Sequence, residues 1–348
     1  MSVHPKARSA EERPGSGPVR MHGGPDARGA ARWDFSTCAN AAGPCPAALQ
    51  AVREADPTRY PDPAGRALRE RLAALHGVAP QRIVIAASAS EFIQRLTAVG
   101  ARLMPGAVVV PRHGYGDYAA AATACGRVCR ADGEPGAAAT LRWCAEPSSP
   151  LGEDAAPPAD PASIPTALDA VYAPLRLQGA GLWRDADRDA VFVLHSPNKA
   201  LGLCGVRGAY AVAPAGATWD VAAWCRALDS AAPSWPLSAQ GVAMLDAWCT
   251  PEVQRWVHES RTTLHAWKRA LAQALAARGF EVRDSVVPFF CARPPRPLPA
   301  SDLRTHGVAV RDAASFGWPG WWRVSAQPPD AVAALAQAWD ALSRRGET

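Results

Sequence analysis

Apolar positions along the chain fall into two alternating rhythms. Residues 64–76 place Leu68, Leu72 and Leu75 at helical spacing, which predicts an amphipathic helix. An apolar run over 82–86 then reads as a buried strand, and Phe92, Ile93 and Leu96 mark a second helix. Val108–Val110 predicts another strand, with a helix from Tyr118 behind it. Short strands are expected at 166–169, 190–194 and 208–212. A long helix is expected over 251–278, with Val253, Trp256, Leu264 and Leu271 among its apolar positions. Strands near 281–283, 289–292 and 322–324 and a helix over 330–344 close the chain. Strand–helix alternation of this kind predicts an α/β fold with a mainly parallel sheet, followed by a smaller α+β unit.

Between these elements lie two weakly patterned stretches, an irregular arm over 22–60 and a Pro-rich segment over 146–165. The expected organisation is a disordered tail over 1–20, an arm over 21–60, a large domain over 61–250, and a connecting helix with a small domain over 251–348. No internal repeat is visible.

Composition narrows the function class. In 348 residues, 48% are hydrophobic, with 33 Pro and 28 Gly, as expected of a loop-rich enzyme rather than a disordered, collagenous or coiled-coil chain. No apolar run reaches the roughly 18 residues of a membrane span, so a soluble chain is expected. The net charge is +5, of which the first 32 residues carry +3. A nearly neutral body argues against nucleic-acid binding, which needs clustered basic charge. That basic tail has no apolar core and does not read as a secretory signal, so a cytoplasmic protein is expected. Nine cysteines without a Cys-x-x-Cys pair predict reduced thiols, and no metal site is expected.

Candidate chemistry concentrates at 191–210, where a strand runs through Ser196-Pro-Asn-Lys199 into a glycine-punctuated loop carrying Arg207. Lys199 is one of only three lysines, and it sits at the carboxyl end of an expected parallel strand, where functional groups gather in such sheets. An ordinary surface lysine fits the local pattern equally well.

This segment resembles the lysine motif of fold-type I pyridoxal-phosphate enzymes, aminotransferase class I/II. Other motifs follow in the family's order. Asp169-Ala-Val-Tyr172 resembles its Asp-x-Ala-Tyr, 30 residues before the lysine, and Ser88-Ala89-Ser90-Glu91 its phosphate turn. Pro111-x-x-x-Tyr115-x-x-Tyr118 is similar to its ring-stacking motif, and Trp322-Arg323-Val-Ser325 to its carboxylate-binding arginine. The resemblance spans roughly residues 22–345 and implies a bound pyridoxal phosphate.

It also implies roles. Lys199 would form a Schiff base with the cofactor and act as base at the substrate's α-carbon. Asp169, beside Tyr172, would keep the pyridine nitrogen protonated. Ser88, Ala89, Ser90, Ser196 and Arg207 would hold the phosphate, although Ser88-x-x-Glu91 also reads as an ordinary capping box. Tyr115 would stack on the ring. Tyr60, in Arg-Tyr-Pro, would reach a neighbouring subunit's phosphate, which implies a homodimer. Arg323 would clamp the α-carboxylate, with Asn40 at the substrate and Arg311 at a distal anion.

Two departures stand out. The family's Asn-Pro-x-Asn-Pro-x-Gly becomes Glu146-Pro-Ser-Ser149-Pro150-Leu-Gly152, so Ser149 replaces the asparagine that donates to the cofactor's ring oxygen. Only 18 residues separate Pro150 from Asp169, too few for a full helix beside the usual loops. His22-Gly-Gly, Asp34-Phe-Ser36 and the 310–317 segment resemble the histidinol-phosphate aminotransferase and threonine-phosphate decarboxylase branch. The expectation is therefore an aminotransferase acting on an amino acid or phosphorylated amine. A decarboxylase of the threonine-phosphate type and a catalytically weakened cofactor-binding protein are the alternatives.

Overall fold

The computed structural model describes residues 22–345; the tail expected over 1–20 lies outside the described residues. The arm is less irregular than expected. It contains strand β1 (Trp33–Asp34) and helix α1 (Pro46–Glu54), whose Pro46 supplies a first-turn residue with no N–H to satisfy. Helix α2 (Arg66–His76) buries Leu68 and Leu72 and stops at Gly77, which takes the left-handed conformation a C-cap requires.

The large sheet is then laid down by alternation. Strand β2 (Ile83–Ala86) starts one residue later than expected because Pro80–Arg82 forms a 3-10 turn. Helix α3 (Ala89–Leu103) leads to β3 (Ala107–Val110), and α4 (Gly116–Ala124) leads to β4 (Cys129–Ala131). Strand β5 (Ala139–Ala145) is followed directly by β6 (Thr166–Asp169); no helix lies between them, in keeping with the short connection. Helix α5 (Asp185–Asp189) occupies residues just before the strand expected from 190, so β7 runs over Phe192–His195 instead. Strand β8 (Ala209–Val212) completes a seven-stranded sheet of order β2-β8-β7-β6-β5-β3-β4, in which only β8 is antiparallel to its neighbours.

Helices α6 (Val221–Ser230) and α7 (Ala239–Trp248) are not among the expected elements; alanine, which gives little periodic contrast, fills three of the seven apolar positions in each. On one side Trp143 and Phe192 of the sheet share a core with Phe92 of α3, Tyr118 of α4 and Trp224 of α6. On the other Tyr210 of the sheet shares one with Leu72 of α2 and Met244 and Leu245 of α7. Each such side chain, fully buried, contributes about 1.5–3 kcal/mol.

Helix α8 (Pro251–Ala276) runs for 26 residues, capped by Thr250, and buries Val253, Val257, Leu264, Leu271 and Leu275 along one stripe. Beyond it, β9 (Glu281–Val282), β10 (Phe289–Arg293), β12 (Arg311–Asp312) and β13 (Trp322–Ser325) form an antiparallel sheet of order β12-β13-β10-β9. Strand β11 (Val308–Ala309) pairs with β1 instead, which ties the arm to this second unit. Helix α9 (Pro329–Arg345) covers it, with Leu335 and Trp339 packed on Phe280, Phe290 and Trp322. Among the described residues no helix is long and apolar enough to cross a membrane.

Candidate active site

Register decides where the site lies. Asp169 at the end of β6 is the partner of Ala145 on β5 and of Leu194 on β7. Three adjacent parallel strands therefore end level, and the loops at 146–152, 169–172 and 196–207 leave from one edge of the sheet. Because β8 is antiparallel, its first residues return to the same edge, as do the turns after β2 and β3. This is the carboxyl edge where α/β sheets bind ligands.

Lys199 sits in a short turn held by bonds from Leu201 N–H to Pro197 and from Leu203 N–H to Asn198. Its amine lies 4.6 Å above the Tyr172 ring. Burial opposes its charge, but Tyr172 and the Asp169 carboxylate together hold its pKa above the ordinary lysine value. Asp169, like Lys199, is half-buried, and its partial burial raises its pKa. Two donors partly offset this: Tyr118 donates to Oδ2 at 2.6 Å and the Val171 N–H to Oδ1 at 3.0 Å. Among the described residues no arginine or lysine forms an ion pair with it. A half-buried carboxylate so arranged suits a cationic ring N–H.

Groups that could serve an anion lie in the loops at the same sheet edge. Ser88 caps α3 by accepting from Glu91 N–H at 3.0 Å, while Glu91 accepts from Ala87 N–H at 3.1 Å. The cap is thus half of the reciprocal box, displaced by one residue. The N–H groups of Ala89 and Ser90, in the first turn, have no acceptor within their own helix. Ser90 Oγ meets the Tyr115 hydroxyl at 3.1 Å, and Ser196 donates to Asn198 at 3.1 Å. Arg207 is exposed and makes no ion pair among the described residues. These groups together suit a phosphate, and with Lys199 and Asp169 they fit a phosphorylated pyridine aldehyde.

Arg323 and Arg311 lie opposite, both buried, as cross-strand partners on β13 and β12. Arg323 donates to Ser149 Oγ and to the Ser36 carbonyl, each at 3.0 Å, and its Nε finds no partner among the described residues. Ser149 therefore supports Arg323, a contact the sequence did not suggest. Asn40, expected at the substrate, directs its amide elsewhere. It donates to the Ala200 carbonyl and Ser260, and accepts from Ala42 N–H, so it fastens the arm to the Lys199 loop. Tyr60 lies outside this cluster, 77% exposed and stacked on Trp235 at 4.4 Å.

Sequence reasoning passed over Tyr118 as a partner of Asp169, and over His113, which bridges to the 314–318 turn. Tyr118 carried a signal in its motif; His113 carried none, because its partners are some 200 residues away.

Aminotransferase class I and II is the family matched, over residues 161–338. A histidinol-phosphate aminotransferase from a Ruegeria species is 28% identical over 333 residues, covering 87% of this chain and 89% of the relative. The fold is similar to that of Sinorhizobium meliloti histidinol-phosphate aminotransferase in complex with pyridoxal phosphate (TM-score 0.73, 20% identity, 89% and 90% of the two chains covered). It is also similar to L-threonine-O-3-phosphate decarboxylase from Porphyromonas gingivalis (TM-score 0.69, 18% identity, 89% and 99% covered). The α/β architecture expected from the sequence is that of these fold-type I enzymes. With the family match extending over more than half of its length, the chain belongs to the class I and II aminotransferases, enzymes that work with pyridoxal phosphate.

Proposed function

We propose that this aminotransferase acts on a phosphorylated amine or amino acid of the histidinol-phosphate class. The carrying observation is the pair of buried guanidiniums, Arg311 and Arg323, in register on adjacent strands, with Arg323 close enough to Lys199 to oppose its charge. Two cations held side by side in a poorly hydrated place suit a dianionic group, or a carboxylate and a phosphate in turn.

In this reading Lys199 would hold the cofactor covalently, Asp169 would serve its ring nitrogen, Tyr172 would support the lysine, and Tyr115 would serve its ring. Ser88, Ala89, Ser90, Ser196 and Arg207 would hold its phosphate. When bound, the cofactor supplies an electron sink for charge developing at the substrate's α-carbon. The Lys199 amine, freed once substrate takes its place, would carry the proton away from the substrate's α-carbon; water would supply the oxygen of the carbonyl product, and the amino group would stay with the cofactor. Arg323 orients the substrate carboxylate, or the phosphate of a substrate without one, and Arg311 receives the distal anion. Ser149 is assigned to Arg323 rather than to the cofactor oxygen. The site is read as lying between a large unit over 61–250 and a small one over 251–348.

A homodimer belongs to the same proposal. Tyr60 and Trp235 stack in the open beside a cleft of about 1110 Å³ lined by Pro61, Arg66, Arg69 and Leu237, a surface suited to a second copy. A cytoplasmic location is part of this reading, by analogy with biosynthetic relatives.

The test is to add histidinol phosphate, threonine phosphate and unphosphorylated amino acids singly to the loaded protein. A Lys199-dependent visible band should bleach with histidinol phosphate and no carbon dioxide should appear. Carbon dioxide from threonine phosphate would replace this reading with decarboxylation.

A further inference from the structure

His113 lies between β3 and α4, outside every motif that marks the site. Its Nδ1 stands 2.9 Å from the Phe316 carbonyl oxygen, and its Nε2 stands 2.8 Å from the Trp318 indole nitrogen. A carbonyl only accepts, so Nδ1 carries the hydrogen; an indole N–H only donates, so Nε2 carries the lone pair. The two contacts together require a neutral imidazole in one tautomer. The rings of His113 and Trp318 meet edge to face at 5.3 Å.

Both partners belong to one turn, and that turn supports the arginines. The Phe316 ring lies 4.8 Å from the Arg311 guanidinium and 5.4 Å from that of Arg323. Two residues beyond His113, Tyr115 meets Ser90 at the N-terminus of α3. One imidazole therefore joins the loop on the Lys199 side to the aromatic platform under the anion-binding side.

We propose that His113 is a positioning residue for substrate-anion binding: its neutral imidazole clamps the 314–318 turn so that Phe316 holds Arg311 and Arg323 in place. The inference rests on the assignment of those arginines to the substrate's anions. The charged and titratable groups around the clamp are Arg283 over Trp318, Arg311 and Arg323 over Phe316, Asp312 at the Ala314 N–H, and Arg112, Glu134 and Tyr115 by its own loop. Among the described residues no carboxylate pairs with His113. Protonation would set a second N–H against the indole N–H, with nothing to offset the lost bond.

The experiment uses the cofactor-loaded protein and inorganic sulfate, whose charge is constant between roughly pH 5 and 8, where histidine titrates. Sulfate affinity is measured by calorimetry for wild type, His113→Phe, His113→Gln and Arg311→Gln, while ¹⁵N-histidine NMR reports the tautomer. His113→Phe should weaken sulfate roughly tenfold, the size expected when two part-buried hydrogen bonds are lost. His113→Gln keeps a donor and an acceptor, so its affinity should stay within about threefold of wild type. The wild-type His113 signal should report Nδ1–H. The cofactor's visible band should be the same in all four proteins.

Sulfate binding that His113→Phe leaves unchanged, or an Nε2–H signal, overturns the role of His113 while leaving the arginine assignment intact. Should His113→Phe fail to fold, the Nε2–H signal in wild type overturns it alone. Binding indifferent to Arg311→Gln overturns the arginine assignment itself, and the clamp's function falls with it.

Discussion

Arg311 and Arg323 stand opposite each other across the β12–β13 ladder, with the ring of Phe316 beneath both guanidiniums. Burial, and then the neighbouring Arg323, push Arg311 below the usual arginine range. Two like charges so placed repel one another, and Arg311 also donates to Ser315 Oγ at 2.6 Å. The geometry separates two effects that a single arginine would merge.

Arg311→Gln is expected to raise KM for a phosphorylated substrate roughly tenfold or more, since a charge-assisted pair is lost. It should leave an unphosphorylated amino donor nearly unaffected. Arg323→Lys should lower kcat/KM for both, because a point charge cannot reproduce the planar fork that also bonds Ser149 and the Ser36 carbonyl. Steady-state kinetics with two donors checks this; equal losses for both donors in Arg311→Gln would refute the division of labour.

Tyr118→Phe removes the 2.6 Å bond to Asp169 and leaves the ring stacked on Trp143. Burial already raises Asp169, and without the phenol its ionised form loses a principal support. Cofactor affinity should fall roughly tenfold, the equivalent of about 1.4 kcal/mol, with little change in global stability. Spectrophotometric cofactor titration measures it, and unchanged affinity would show that Val171 N–H alone suffices.

A third prediction concerns acid. Burial lowers His76 from 6.5 to about 4, and it drives the adjoining His195 well below the usual range. The two rings lie 4.7 Å apart, and His76 shares a 2.8 Å hydrogen bond with the Tyr210 hydroxyl. Since the folded-state pKa is the lower one, the unfolded chain takes up the proton first. Stability from these groups is complete above about pH 6.5 and is lost as pH falls from there towards 4. For His76 the loss is of order 2–3 kcal/mol. Urea midpoints across that range should decline, and His76→Gln should flatten the decline in part, with His195 supplying the rest. A parallel decline in the variant would mean His76 does not contribute.

What the sequence made legible follows from range. The placing of Lys199, Asp169 and the Ser88 turn after strand ends was legible in apolar runs that stop, whereas their roles came only from the family resemblance. The tie between Asn40 and Ser260, 220 positions apart, left no local trace, nor did the bonds from His113 to the 316–318 turn. Helices α6 and α7 were illegible for another reason: alanine is helix-favouring but contributes little periodic contrast. The acceptance by Ser149 of a hydrogen bond from Arg323 also left no local trace, because the small-unit strand comes from 174 positions away. In the 146–152 turn Gly152, at φ +71, passes so close that an added Cβ would lie 2.3 Å from Ser285 Oγ.

Glu146, first residue of that turn, yields the last prediction. It has no exposed surface, and its carboxylate lies between Arg176 at 4.0 Å and Arg188 at 3.6 Å. It also accepts from the Leu182 N–H at 2.6 Å, and so fixes the loop that leads into α5. Gly181 is positioned for this contact, since a Cβ there would stand 2.9 Å from Glu146 Oε2. Removing one partner of a buried charge cluster costs more than the pair contributes, because the remaining charges are left desolvated. Arg176 keeps Asp154 at 2.6 Å, which reduces that penalty, whereas Arg188 has no second carboxylate among the described residues. Glu146→Gln preserves volume and one acceptor, and should destabilise the fold by about 2–4 kcal/mol. Glu146→Ala should cost more, since it also opens a cavity behind the Leu182 N–H. Urea unfolding would show a lower midpoint at unchanged slope; a loss below about 0.5 kcal/mol in Glu146→Gln would mean that water reaches the cluster and screens it.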